Sequence, residues 1–125
     1  MTRAERAARR TLLADQAEAF QNQDRVEDAR DVWLVIADDY EEQGNKRLAA
    51  LARTVSLRLH VLAWARSKLD RELTFHDVVP ERLSQADLLV ERPSFLIRSR
   101  GWGGEDVVVR VDRRGRVSRL GRAGL

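Results

Sequence analysis

DVWLVIADDYEEQGNKRLAALA, residues 31 to 52, carries large apolar side chains at helical spacing, breaks once at Gly44 and then resumes. Val26, Ala29, Trp33, Ile36, Ala37 and Tyr40 fall on one stripe of a helix, which must be buried. Gly44 can take the left-handed conformation that ends this helix, and Asn45 is a suitable cap for the next. Just upstream, Asp24 and Glu27 have the spacing of a capping box that would open the second helix.

Working outward, a first helix is expected from about Arg3 to Gln23, with Leu13, Ala17 and Phe20 at helical spacing. A third should run from Asn45 to about Asp70. Its residues Leu48, Leu51, Val55, Leu59, Leu62 and Leu69 form one apolar stripe, of which Leu48, Leu51 and Val55 are expected to meet Trp33, Ile36 and Tyr40 across the Gly44 turn. Leu57, Val61 and Trp64 form a second stripe, while Arg53, Ser56, His60 and Ser67 mark the polar face. Two apolar stripes require cover on two sides, supplied either by the C-terminal part of the chain or by a second copy in a symmetric dimer. Three short strands have limited area, so the dimer is favoured.

Charge supports antiparallel pairing of the second and third helices. Asp24 to Glu42 holds eight acids against two arginines, a net of −6, whereas Lys46 to Arg71 holds seven cations against Asp70, a net of +6. Each exposed pair contributes little, yet together they favour one partner over another.

The same stretch resembles a tetratricopeptide repeat. Trp33, Ile36, Ala37, Tyr40, Gly44 and Ala49 stand where that family has its tryptophan, leucine, small residue, tyrosine, glycine and alanine, and the resemblance covers about Gln16 to Leu59. Arg53 and Ser56 occupy the places of a large aromatic and an alanine, no proline closes the unit, and no 34-residue repetition follows. The resemblance implies a helical hairpin of the kind used as a binding scaffold.

After Arg71 the composition changes. Residues 72 to 94 read as a connector containing both prolines, with Pro80 placed to open a short helix carrying Leu83, Ala86 and Val90, and Pro93 to stop it. FLIRSR, VVVRVD and VSRL then read as three short strands, with Gly115 at a left-handed turn position. Val107, Val109 and Val111 should share one face, with Val108 and Arg110 on the other. The expected fold is α+β: an antiparallel three-helix unit over 1–71, the connector over 72–94, and a three-stranded antiparallel meander over 95–122, all within the size of one compact domain.

Composition narrows the function classes. The chain has no cysteine and two isolated histidines, His60 and His76, so neither a metal site nor a cofactor is expected. No apolar run approaches the ~20 residues of a membrane span and no apolar segment follows the basic N-terminus, which points to the cytoplasm. Of 23 cations 21 are arginine, and with abundant alanine this looks like the codon bias of a GC-rich genome, so a bacterial or phage origin is expected. His76 and Asp77 are chain neighbours, which usually point apart, and the glycines 101, 103 and 104 lead into a strand rather than a helix, unlike a phosphate loop. The chain is therefore not expected to be an enzyme.

Two binding functions remain. The first is a protein–protein interaction, adaptor or assembly module, or self-association, with Leu57, Val61, Trp64 and Trp102 as contact residues. The second is nucleic-acid binding by the C-terminal meander: Ile97 to Leu125 carries eight arginines against three acids, and Arg98, Arg100, Arg113, Arg114 and Arg116 are its candidate phosphate contacts. The near-balanced total charge of +3 ranks the protein interaction first.

Overall fold

The computed structural model describes residues 1–81, 94–98 and 106–122. The architecture is α+β, with three helices followed by a four-stranded antiparallel sheet: α1 (Arg3–Asn22), α2 (Val26–Glu42), α3 (Lys46–Lys68), a 3₁₀ turn (Phe75–Asp77), β1 (Val78–Pro80), β2 (Ser94–Ile97), β3 (Val107–Val111) and β4 (Val117–Arg122). By compactness the chain divides into two units, Met1–Ser56 and Leu57–Leu125, the division falling inside α3.

In the first unit both helix–helix turns are built alike. After α2, Gly44 takes φ +76°, the Gly44 amide donates to the Glu41 carbonyl and the Asn45 amide to the Tyr40 carbonyl, each at 2.9 Å. This pattern of two reversed bonds around one left-handed residue satisfies carbonyls that the helix end leaves open. After α1 the same pattern recurs at Asp24, with φ +60°: its amide reaches Gln21 at 3.0 Å, and the Arg25 amide reaches Phe20 at 2.7 Å. Asp24 therefore ends α1 and does not cap α2, whose N-cap is Arg25 without a side-chain cap bond. Asn45 does cap α3, its Oδ1 accepting from the Leu48 amide at 3.2 Å.

A side chain other than glycine is strained at a left-handed position, although aspartate tolerates it better than most. Asp24→Gly is expected to stabilise the chain by about 0.5–1 kcal/mol, glycine's extra freedom in the unfolded chain offsetting part of the relief. A denaturation midpoint that falls would contradict this reading of the turn.

The core of the first unit contains Ile36 and Ala37 of α2 and Ala52 of α3, with Leu13, Ala14, Val32, Trp33 and Tyr40 packed against it. The contribution of α3 to this seam differs from the leucine stripe read in the sequence. Leu48 and Leu51 stand out at 37% and 38% exposure, while Ala49, Ala52 and Ser56 are buried. Small side chains let two helix backbones approach closely, and leucines on the flank are then left outside. Ser56, placed on the polar face from the sequence, is enclosed and donates to the Arg30 carbonyl at 3.1 Å.

In the second unit the strands follow in sheet order β1-β2-β3-β4. The inner face is formed by Val78, Phe95, Ile97, Val107, Val109 and Val111, all buried, with Phe95 opposite Val109 and Ile97 opposite Val107. Alternation puts Leu96, Val108 and Arg110 on the other face, as period-two patterning requires. The sheet has four strands instead of three, because β1 lies in the stretch read as connector. It is three residues long and ends in Pro80, tolerated because an edge strand need not supply that amide to a ladder. Pro80 thus closes a strand and does not open a helix. The short helix expected at Leu83, Ala86 and Val90 lies outside the described residues.

The β3–β4 turn follows the sequence reading closely. Gly115 has φ +81°, the Gly115 amide donates to the Asp112 carbonyl and the Asp112 amide to the Arg116 carbonyl, both at 3.0 Å. A register shift between Val108 and Val109 leaves Leu120 unpaired in β4.

Candidate functional site

The sequence candidates do not assemble into one surface. Val61 is fully buried and has no area to give a partner, so it is a core residue of the second unit. Leu57 and Trp64 are half-buried. Trp102 and Arg100 lie outside the described residues. Arg98, Arg113, Arg114 and Arg116 are exposed.

The polar line of α3 is a bonding seam. Arg53 pairs with Asp38 at 3.8 Å and with Glu41. Arg58 is held by the carbonyls of Phe75 and Val78, its guanidinium 3.9 Å from the centre of the Phe75 ring. Burial, with a smaller contribution from the charge of Arg98, pushes Arg58 below the usual arginine range, and these carbonyls compensate the desolvated cation. His60 Nε2 donates to the Gly115 carbonyl at 2.6 Å, and Arg66 Nε to Leu73 at 2.8 Å. Over part of its length α3 is apolar and long enough to cross a membrane, but side chains engaged in this way are those of a core helix.

A second cluster joins α1 to α2. Asp39 is buried, and its carboxylate accepts from Arg10 at 2.7 Å with Arg6 at 3.8 Å. The hydrogen bond to Asp39 raises Arg10 above its ordinary value, and the Arg10 guanidinium lies 4.6 Å from the centre of the Tyr40 ring. Every group here is matched by another protein group, so the cluster reads as a structural lock.

Two surfaces remain open. On α2 the exposed line runs Asp31, Leu34, Asp38, Glu41, with Val35 and Glu42 beside it; on α3 it runs Lys46, Arg47, Leu48, Leu51. Each line combines exposed apolar side chains with charge of one sign. The other surface is the β3–β4 hairpin, where Arg110, Arg113, Arg114, Arg116 and Arg119 are all exposed. Its one acid, Asp112, turns its carboxylate onto the backbone, accepting from the amides of Arg114 at 2.8 Å and Arg116 at 2.9 Å. The Arg116 amide above all holds the Asp112 carboxyl below the usual carboxylate range.

Neither surface carries a reactive constellation among the described residues. Asp77 accepts from the Thr74 amide at 2.7 Å and hydroxyl at 3.0 Å, closing the 3₁₀ turn, while His76 is exposed beside it. No group of three metal-ligating side chains gathers among the described residues. The acidic and basic lines of α2 and α3 were legible in the sequence; the exposure of Leu48 and Leu51 was not, because it depends on how closely the helices approach. Compared with protein families, curated proteins and solved structures, the chain matches none of them.

Proposed function

We infer that the chain is a non-enzymatic assembly module that associates with a second copy of itself through the exposed faces of α2 and α3. The observation that carries this reading is the pairing of exposed leucines with opposite charge on the two helices: Leu34 among Asp31, Asp38 and Glu41 on α2, Leu48 and Leu51 beside Lys46 and Arg47 on α3. A twofold interface is isologous, so α2 of one copy can lie against α3 of the other and α3 against α2. That arrangement sets leucines against leucines, which supplies affinity through apolar burial, and places Lys46 and Arg47 beside an acidic line whose charge is partly met already by Arg30 and Arg53, so that charge contributes orientation more than affinity. Tetratricopeptide-like hairpins present helical faces in a comparable way, and the resemblance of residues 16–59 supports this use of the hairpin.

Light scattering at tens of micromolar tests it. The expected mass is twice 14.3 kDa, and Leu51→Asp, a change on an exposed position, should return the chain to 14.3 kDa while leaving its helical signal intact. A clean 14.3 kDa mass for the unsubstituted chain would overturn the reading.

A further inference from the structure

We propose that the tip of the β3–β4 hairpin is a binding site for the phosphodiester backbone of nucleic acid, read without sequence preference. The site belongs to the second unit, and the proposal does not depend on the helical face of the first. Five arginines lie within ten residues, Arg110 to Arg119, and all five are exposed. In the first unit Arg6, Arg10, Arg25, Arg30 and Arg53 each lie against a carboxylate. In the hairpin, by contrast, Arg110, Arg114, Arg116 and Arg119 form no ion pair among the described residues.

The hairpin also holds these cations on a fixed backbone. The left-handed Gly115 closes the turn, the Asp112 carboxylate binds two of its amides, and His60 grips the Gly115 carbonyl from α3. A Cβ at Gly115 would stand 3.4 Å from His60 Nε2, so the tip and the helix side chain are in close contact. Three separate restraints thus order a turn on which five arginines stand against a single acid, Asp112. Arginine forks match phosphate oxygens, and on an ordered platform less conformational freedom is lost when they bind. No apolar side chain occupies Asp112 to Arg116, so the tip has nothing to insert into a bilayer, which favours nucleic acid over an anionic lipid surface.

Fluorescence anisotropy with a labelled mixed-sequence duplex, at salt concentrations from roughly 50 to 200 mM, tests the site. Saturable binding is expected, with a dissociation constant of about 10⁻⁴ to 10⁻⁶ M near physiological salt and little change when the duplex sequence is altered. The triple variant Arg113→Ser, Arg114→Ser, Arg116→Ser should flatten the slope of log affinity against log salt by about one unit for each phosphate no longer neutralised. Arg3→Ser, Arg9→Ser, Arg71→Ser removes the same charge from exposed positions elsewhere and should leave that slope unchanged. Circular dichroism on both variants establishes that they are folded. Absence of saturable binding at low salt, equal losses in the two triple variants, or tighter binding to phosphatidylserine vesicles than to the duplex would each overturn the proposal.

Discussion

Phe95→Ala is expected to lower stability by about 3–5 kcal/mol, the largest effect of any single apolar truncation in the sheet. Phe95 is among the largest side chains with no exposed surface, and it sits on the inner face of β2 between Pro80 of β1 and Val109 of β3. Removing the ring forfeits its transfer free energy and leaves a cavity bounded by strands that cannot close over it without giving up their ladder bonds. Phe95→Leu retains most of the volume and should cost less than half as much. Urea denaturation followed by circular dichroism measures both, and a loss for the alanine variant under about 1 kcal/mol would show that the inner face is not packed as described.

Asp39→Ala comes next, with an expected loss of about 2–4 kcal/mol. The carboxylate is 7% exposed and the side chain of its partner Arg10 16% exposed, so deleting the acid leaves a partly enclosed cation with Tyr40 but without its counter-charge. That penalty exceeds the net worth of the pair itself, because desolvation of the remaining cation is no longer compensated. Arg6 at 33% exposure can reorient into water and adds little. Asp39→Asn keeps an acceptor for Arg10 and should recover part of the loss. Equal melting temperatures for the alanine variant and the parent chain would contradict the role of this cluster.

Much of the fold was legible where local chemistry decides it. Gly44, Asn45 and Gly115 each do what their residue type allows, a left-handed turn or a helix cap, and the alternation of Val107, Val109 and Val111 marked the inner face of the sheet. What the sequence hid depends on distances between elements. Asp24 has the spacing of a cap, yet it ends α1, because an aspartate can serve either as a cap or as a left-handed residue and spacing alone does not choose. Leu48 and Leu51 look like core on a helical wheel, but the small residues Ala52 and Ser56 take the seam instead. β1 is too short to show periodicity, and only its pairing with β2 makes it a strand.

The candidate surfaces divide in the same way. The five hairpin arginines could be counted in the sequence, whereas the turn of the Asp112 carboxylate onto the backbone amides of Arg114 and Arg116 is a matter of geometry. His60 falls on the polar face of a helical wheel, and only the structure shows it to be the clamp on the hairpin tip.

Cross-linking tests the proposed assembly most directly, and the absence of native cysteine makes it clean. Leu34→Cys and Leu51→Cys are prepared separately, mixed and oxidised under mild conditions. A disulfide requires Cα atoms within about 7 Å, so it reports which helices face each other. With α2 of one copy against α3 of the other, the mixed Leu34→Cys and Leu51→Cys dimer should exceed either homodimer severalfold; homodimers in equal or greater yield, or no cross-link at all, would contradict it.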